Sequence, residues 1–273
     1  MDSGDLDVKY AVLRNILKNL DRVVVAYSGG VDSTFLVWVA KDVLGDRVLA
    51  ATAFSATAAI HERENALQLA RKLGAKHIVI HSGEMDLPEF TKNPPDRCYI
   101  CKKHRFGMLT NLASEQGYSF VLDGENADDA GDYRPGSLAS RELGVRSPLK
   151  EAELSKEDIR RLSKRFNLPT WNKPSYACLA SRIPYHRTIT PENLAQVDAA
   201  EDFIRSMVPE IQIRVRHHGD IALIEVQPDF IADLVHSYRR KRIVKRFTEL
   251  GFSFVAVDLE GYTMGSLNRA LDT

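Results

Sequence analysis

The chain of 273 residues contains few cysteines, no excess of charge of either sign and no long apolar run. Three cysteines are an odd number, so a framework of disulfides is not expected. No stretch approaches the roughly 18 consecutive apolar residues that are typical of a transmembrane helix, so no membrane span is expected. The acidic residues 1–5 lack the apolar segment of a signal peptide, and we therefore expect a cytoplasmic protein.

The balance of charges argues against one class of partner. Lysine plus arginine and aspartate plus glutamate number 37 each, which gives a net charge near zero and disfavours a dedicated nonspecific nucleic-acid binder. A dense basic run does occupy residues 237–247, but its interleaved apolar residues favour a helix packed on one side and solvated on the other. We therefore expect a small-molecule substrate.

Apolar segments with the period of a helix alternate with short apolar runs. Helices are predicted near 6–20, 33–44, 60–73 and 102–116, and strands near 22–27, 47–53, 76–81 and 118–123. This alternation predicts an α/β fold with a doubly wound, mostly parallel sheet. Further helices near 156–166, 191–207 and 228–250, and strands near 211–216, 221–226 and 252–259, predict a small α+β tail. We place the domains at 1–186 and 187–273.

The most informative motif directly follows the first predicted strand and reads Ser28-Gly29-Gly30-Val31-Asp32-Ser33. Its glycines let the backbone approach an anion, and the N-terminus of the following helix points N–H groups at it. The hydroxyls of Ser28 and Ser33 add neutral donors. The motif lacks Gly-Lys-Ser/Thr, which excludes the common P-loop. It resembles the PP-loop of the ATP pyrophosphatases, and this implies a site for the phosphates of ATP.

Carboxylates accompany this loop and a second one. Asp32 among phosphates is explained if it holds Mg²⁺ or orients an N–H group, although it could merely favour the helix N-terminus. Asp128 and Asp129 follow the fourth predicted strand, where they could complete a Mg²⁺ site, bind ribose or form a solvated turn. Ligands of doubly wound sheets sit at the carboxyl ends of strands, so both loops can face one crevice.

The cysteines form Cys98-Tyr99-Ile100-Cys101, with Cys178 far downstream. Three thiolates could hold a [4Fe–4S] cluster and leave one iron open to an external ligand such as sulfide. His104 continues the spacing, so a zinc site of three cysteines and one histidine is an alternative. A third possibility is a redox pair of Cys98 and Cys101 with Cys178 acting alone.

Arginines supply candidate anion ligands in the second half of the chain. Arg214 and Arg216 alternate along a predicted strand, which places both on one face, and two guanidinium groups suit a phosphate monoester. The alternative is that both are solvated or form salt bridges between subunits. Arg182, shortly after Cys178, is a candidate for stabilising an anionic substrate. Glu225 on the neighbouring predicted strand could pair with an arginine or hold a metal.

Four further blocks narrow the resemblance. They are residues 132–136 (DYRPG), 173–185 (KPSYACLASRIPY), 214–220 (RVRHHGD) and 261–268 (GYTMGSLN). Together with the PP-loop they resemble the LarE family over residues 28–268. The resemblance implies an adenine nucleotide alpha hydrolase-like PP-loop fold and an ATP-dependent sulfur transferase. Such enzymes adenylate a carboxylate of pyridinium-3,5-biscarboxylic acid mononucleotide, replace oxygen by sulfur and release AMP, in building the nickel-pincer nucleotide cofactor of lactate racemase.

The family also implies roles for particular residues. In one branch a single cysteine, which maps to Cys178, gives up its own sulfur and becomes dehydroalanine. In another branch three cysteines carry a [4Fe–4S] cluster, and Cys98 and Cys101 place this chain there. Asp32, Cys178 and Arg182 are then the catalytic candidates. The cofactors are ATP, Mg²⁺ and the cluster.

The remaining implied ligands and partners follow from the same resemblance. Ser28, Gly29, Gly30, Asp32, Ser33 and Asp128 would bind ATP, and Arg214 and Arg216 would bind the substrate phosphate. An upstream sulfide or persulfide donor and a homo-oligomer with trimeric units are the expected partners. Three other functions stay open: a tRNA thiolase, a zinc-containing amide- or nitrile-forming ligase, and a nucleotide-binding regulatory module.

Overall fold

The protein is described by a computed structural model that covers residues 3–131, 135–174, 176–208, 211–263 and 265–271. Asp132, Tyr133 and Arg134 of one family block, Ser175 of another and Met264 of the last lie outside the described residues. The chain divides into two compact units, here called unit 1 (1–55, 60–84 and 98–176) and unit 2 (56–59, 85–97 and 177–273). The domain boundary expected after residue 186 stays a prediction.

The predicted helices and strands occur in the predicted order, and three further helices, at Pro88–Thr91, Pro135–Glu142 and Pro148–Glu151, were not predicted. The helices are α1 (Ser3–Lys18), α2 (Val31–Leu44), α3 (Ile60–Leu73), α4 (Pro88–Thr91), α5 (Arg97–Glu115), α6 (Pro135–Glu142), α7 (Pro148–Glu151), α8 (Lys156–Arg165), α9 (Pro191–Met207), α10 (Pro228–Val235) and α11 (Ser237–Glu249). The strands are β1 (Val23–Ala26), β2 (Val48–Phe54), β3 (Lys76–His81), β4 (Phe120–Leu122), β5 (Ile213–His218), β6 (Ile221–Val226) and β7 (Phe254–Val257).

Unit 1 contains a four-stranded sheet in the order β3-β2-β1-β4, and all its pairings are parallel. Val24 in β1 pairs with Leu49 in β2 and with Val121 in β4. β1 and β2 are runs of small and branched apolar residues with almost every side chain buried, as expected for strands covered on both faces. The α/β fold with a parallel sheet is therefore confirmed.

The strand order creates a crevice in unit 1. The chain moves from β1 outward to β2 and β3, and then returns to place β4 on the other side of β1. Such a reversal is a topological switch point, and ligands of doubly wound sheets bind there at the carboxyl ends of the strands. The loops that follow β1 and β4 carry the Ser28–Ser33 motif and Asp128.

Unit 2 contains the sheet β5-β6-β7, in which β5 and β6 are antiparallel and β6 and β7 are parallel. The turn between β5 and β6 needs Gly219, whose φ is +75°. One face of the sheet packs into a core with Ile204 from α9 and Ile243 and Phe247 from α11. The small α+β tail is thus present.

The single helix predicted over 228–250 is wrong: the structure has α10 and α11, separated by His236 in an extended conformation (φ −55°, ψ 141°). Packing gives the reason. Leu234 and Ile243 are both buried in the same core. On one continuous helix of about 3.6 residues per turn they would point to opposite sides, so the chain must break between them.

No helix within the described part of the chain is long and apolar enough to cross a membrane.

Candidate active site

The hydroxyl groups of Ser28 and Ser33 form hydrogen bonds within the Ser28–Ser33 loop of unit 1. Ser28 Oγ lies 3.0 Å from Ser33 Oγ and accepts a hydrogen bond from Gly30 N at 3.3 Å. Ser33 Oγ in turn donates to Gly30 O at 3.3 Å. Gly30 is the N-cap of α2 and provides no side-chain cap. The first-turn N–H groups of α2 therefore remain suited to an anion.

Two glycines allow the elements around the loop to approach closely. Gly29 has φ +73°, and a Cβ there would lie 2.8 Å from Ala66 Cβ in α3. A Cβ on Gly124, in the loop after β4, would lie 3.2 Å from Ser33 N. A Cβ at Gly29 would therefore clash, and one at Gly124 would require Ser33 to move by a few tenths of an ångström. The loop after β4 packs directly against the start of α2.

Asp32 lies in the first turn of α2, as predicted, and its two carboxylate oxygens differ in their hydrogen bonding. Oδ2 accepts a hydrogen bond from Lys156 Nζ, whereas the buried Oδ1 has no hydrogen-bond partner among the described residues. Burial raises the pKa of Asp32, the nearby Lys156 opposes this rise and Asp129 adds to it. An unpartnered carboxylate oxygen fits Mg²⁺, which binds proteins through one or two carboxylates and takes its other ligands from phosphates and water.

Asp128 and Asp129 lie on the turn that follows β4. Asp128 Oδ2 accepts a hydrogen bond from the backbone N–H of Lys156 at 2.8 Å, and Asp129 Oδ2 accepts one from Asn126 N at 3.0 Å. Both carboxylates therefore help to shape this turn and the start of α8. Contact of Asp128 with ATP stays a prediction.

Two lysines that the sequence motifs do not indicate also reach the loop. Besides Lys156, Lys173 Nζ donates to Gly29 O at 3.1 Å and to Glu62 Oε2 at 2.8 Å. Burial alone would raise the pKa of Glu62, but hydrogen bonds from His61 and Lys173 bring it below its usual value. One signal was available: Lys173 begins the KPSYACLASRIPY block, and a lysine beside a phosphate loop is a natural phosphate or loop ligand.

A second polar cluster in unit 1 lies where β2 and β3 end. Glu84 is fully buried and accepts hydrogen bonds from Ser55 Oγ and Ser82 Oγ, each at 2.5 Å, and from Arg105. Burial alone would raise the pKa of Glu84, but Arg105 and the two hydroxyl groups lower it to about 2. The cluster fixes α5 against the ends of two strands.

We expect Glu84 to make the stability of unit 1 depend on pH. The pKa falls from 4.5 to about 2 on folding, so its contribution is complete above pH 4.5 and disappears as the pH falls to about 2. Glu84→Gln should lower the free energy of unfolding by about 3 kcal/mol near neutral pH and flatten this acid dependence. Denaturant titrations at several pH values measure both effects. Glu115→Gln, at an exposed position on α5, should change neither, and an unaltered stability of Glu84→Gln would refute the expectation.

The cysteines lie at two places in the chain. Cys98 and Cys101 occupy the first turns of α5 in unit 1, three residues apart and hence on the same side of the helix. Cys178 is exposed in unit 2, immediately before a short 3₁₀ helix (Leu179–Arg182). Within the residues described here, no group of three or more His, Cys, Asp or Glu side chains is arranged to hold a metal ion. The described residues thus provide a pair of soft ligands on α5.

His104, the alternative zinc ligand, lies further along α5. Its Nε2 is 2.5 Å from the carbonyl oxygen of Ser82, which belongs to the segment that also holds Glu84. This contact engages one of the two ring nitrogens of His104. The zinc alternative gains no support from it.

Arg182 lies in unit 2 and is almost completely buried, with 1% of its surface exposed. Its guanidinium forms a fork with Glu201 at 2.7 and 2.9 Å, and its third nitrogen donates to the carbonyl oxygens of Ala177 and Cys178 at 2.8 and 3.0 Å. Arg182 therefore fixes the backbone on which Cys178 sits. A contact of Arg182 with the substrate stays a prediction.

Arg214 and Arg216 both lie in β5 and both are buried. Arg216 makes a fork with Glu225 at 2.9 and 2.7 Å and also donates to Ser181 O at 2.7 Å and Ser266 Oγ at 3.0 Å. Arg214 stacks over Tyr262 at 5.1 Å, and its pKa is lowered by burial and then by the charge of Arg182.

In unit 2, the guanidinium groups of Arg182, Arg214 and Arg216 lie near enough to interact, and we call them the arginine cluster. Arg182 forms an ion pair with Glu201, and Arg216 forms one with Glu225. The charges of Arg182 and Arg216 repel the guanidinium of Arg214, and the charge of Glu201 attracts it. A phosphate group suits such a cluster, because a guanidinium binds it with two charge-assisted hydrogen bonds. Arg214, Arg216 and the pairing of Glu225 with an arginine are among the residues expected from the sequence, whereas Glu201 is not.

Comparisons with known proteins give a family match and several relatives. The family model of asparagine synthase matches residues 11–208. The chain is 43% identical over 266 residues to an uncharacterized protein of Synechocystis sp., and the match covers 97% of this chain and 99% of that protein. It is 40% identical over 268 residues to the pyridinium-3,5-bisthiocarboxylic acid mononucleotide synthase of Lactiplantibacillus plantarum, covering 97% and 96% of the two chains. An uncharacterized protein of Methanocaldococcus jannaschii is 32% identical over 259 residues, covering 93% and 97%.

Proposed function

The chain belongs to the LarE family of PP-loop proteins, and from this premise we propose that it is an ATP-dependent sulfur transferase. Its proposed substrate is pyridinium-3,5-biscarboxylic acid mononucleotide, whose carboxylate oxygen it replaces with sulfur. The product is an intermediate in the biosynthesis of the nickel-pincer nucleotide cofactor of lactate racemase.

One observation carries the proposal. The uncapped N-terminus of α2, the braced hydroxyls of Ser28 and Ser33 and the buried, unpartnered Oδ1 of Asp32 lie together at the switch point of a parallel sheet. N–H groups and hydroxyls suit the β,γ-phosphates of ATP, and Asp32 is the residue that would hold Mg²⁺. The ion would neutralise charge that develops on the departing pyrophosphate.

The chemistry has two steps. A substrate carboxylate oxygen attacks the α-phosphorus of ATP, the bond to the β-phosphate breaks, and pyrophosphate leaves with that electron pair. The resulting acyl adenylate makes the carbonyl carbon reactive, because AMP is a far better leaving group than oxide. A sulfur nucleophile then attacks this carbon and AMP departs, which leaves a thiocarboxylate. The loop N–H groups and Lys173 orient the phosphates for the first step.

We propose that the sulfur is carried on a [4Fe–4S] cluster ligated by the thiolates of Cys98, Cys101 and Cys178. When bound, such a cluster would supply a replaceable sulfide at its open iron, so no cysteine would be consumed. An upstream sulfide or persulfide donor would restore it. Arg182, by fixing the backbone of Cys178, supports the position of that thiolate.

Arg214 and Arg216 are proposed to bind the phosphate of the substrate mononucleotide. The placement of both arginines on β5 supports this assignment, and so does the repulsion of Arg214 by the charges of Arg182 and Arg216, which an anion would lower. We also propose a cytoplasmic homo-oligomer with trimeric units.

The proposal is tested by incubating the anaerobically purified protein with ATP, Mg²⁺, the dicarboxylate mononucleotide and a sulfide source. We expect pyrophosphate and AMP to form only when the mononucleotide is present, and mass spectrometry to find oxygen replaced by sulfur. Pyrophosphate release with tRNA, followed by thionucleoside formation, would instead establish the rival thiolase. Ammonia-dependent release together with bound zinc would establish the ligase.

Metal content tests the sulfur carrier separately. Protein purified without oxygen should contain about four irons and an equal amount of acid-labile sulfide per chain, as a cluster with three cysteine ligands requires. Cys98→Ala should lose both, whereas Lys103→Ala, at an exposed position on the same helix, should retain them. Zinc in place of iron would make the thiolates structural ligands. Absence of any metal would favour Cys178 as a sulfur donor that is used once.

A further inference from the structure

Lys156 occupies an unusual place in α8. It is the first residue after the N-cap Ser155. The positive end of the helix dipole disfavours a cation at this end of α8 and favours the acidic side chains of Glu157 and Asp158. Its backbone N–H is fixed by Asp128 Oδ2 at 2.8 Å. Its side chain is 30% exposed and ends on Asp32. The main chain is therefore held while the ammonium, on a flexible stem, is able to move.

Asp32 is poorly compensated by this single ammonium. Lys156 reaches only Oδ2, and the buried Oδ1 has no hydrogen-bond partner among the described residues. Asp129 adds a repelling charge nearby. A buried carboxylate oxygen without a partner retains its desolvation cost, so the site favours one more positive ligand.

A divalent ion bound to Asp32 would repel the ammonium that shares the same carboxylate. We propose that Lys156 is a further residue of the nucleotide site: its ammonium and Mg²⁺ compete for Asp32, and binding of the metal–nucleotide complex moves the ammonium from Asp32 to a phosphate oxygen. The inference rests on the proposed ATP site in the Ser28–Ser33 loop. Lys156 thus neutralises Asp32 before ATP binds and neutralises phosphate afterwards.

The test measures binding of Mn²⁺, as a paramagnetic substitute for Mg²⁺, with and without α,β-methylene-ATP, which cannot be cleaved between its α- and β-phosphates. Without nucleotide, Lys156→Met should bind Mn²⁺ about tenfold more tightly than the wild type, because the competing cation is gone. In the presence of Mn²⁺, the same variant should bind the nucleotide analogue about tenfold more weakly, because a phosphate ligand is lost.

The opposite signs of the two effects identify the role. An ion pair that only supports the fold would, on removal, weaken both affinities or neither, and either result overturns the inference. Lys164→Met, on the same helix but stacked on Trp171, should change neither affinity. Asp32→Asn combined with Lys156→Met should lose the gain in Mn²⁺ affinity. If the wild type fails to bind the analogue with Mn²⁺, both the proposed function and this inference are overturned.

Lys156→Arg provides a second test should the methionine variant fold poorly. A guanidinium can donate to both oxygens of Asp32, so it should resist displacement and bind Mn²⁺ more weakly than the wild type without nucleotide. Equal or tighter binding of Mn²⁺ by this variant would contradict the competition.

Discussion

Asp32→Asn should reduce the rate of pyrophosphate release by about 10³-fold, a loss comparable to removing the principal electrostatic contact of a reaction centre. The amide has the shape of the carboxylate, so the start of α2 and its packing should be retained. It lacks the negative charge that would hold Mg²⁺ against the phosphates, and it ends the ion pair with Lys156. Pyrophosphate release under saturating ATP measures the effect.

A matched control lies on the same helix. Asp42→Asn changes a half-exposed carboxylate of α2 that pairs with Arg14, far along the helix from the loop, and should leave the rate unchanged. Circular dichroism of both variants should show the helix content of the wild type. Pyrophosphate formation by Asp32→Asn at near the wild-type rate would remove Asp32 from its assigned role.

The phosphate loop could be predicted from sequence because all its parts are adjacent in the chain. Glycines, hydroxyls and a carboxylate between a strand and a helix are enough to identify it. Lys156 and Lys173 could not be found this way, because each reaches the loop from a segment more than a hundred residues away. Such contacts depend on how α8 and the segment after it pack on α2 and α3.

The limits of the fold prediction have a similar cause. Periodicity and end signals located α3, β3 and α9 with the bounds that the structure has. They missed the break at His236, where no glycine or proline interrupts the sequence. The signal was present in another form: Leu234 and Ile243 have incompatible directions on one helix if both belong to one core.

The arginines show what strand periodicity can and cannot give. Their spacing correctly placed Arg214 and Arg216 in one strand, and register then brought Glu225 of β6 opposite Arg214. The ion pair nevertheless forms diagonally, between Glu225 and Arg216. Which of the two arginines binds Glu225 depends on side-chain packing, and periodicity carries no information about that.

Glu201→Ala should destabilise unit 2 by about 3–5 kcal/mol, the cost of leaving one member of a buried ion pair without its partner. Glu201 is 2% exposed and accepts two hydrogen bonds from Arg182 and one from Val215 N at 3.0 Å. Its pKa stays below the usual value because Arg182 outweighs the effect of burial. Hydrogen exchange of the β5 and β6 amides measures the loss within unit 2, where a single melting temperature would mix both units. Asp202→Ala, on the exposed side of α9, should stay within about 0.5 kcal/mol of the wild type.

The double variant Arg182→Met with Glu201→Leu separates the cost of an unpaired charge from the worth of the pair. Apolar side chains of similar size often replace a buried ion pair with little loss of stability, so the double variant should recover most of the loss. Recovery should be incomplete, because Val215 N still lacks its acceptor. The carbonyl oxygens of Ala177 and Cys178 would also lose their donor, so the turn that carries Cys178 should exchange faster although β5 is restored. A double variant no more stable than Glu201→Ala would mean that the carboxylate acts through the backbone of β5 rather than through Arg182.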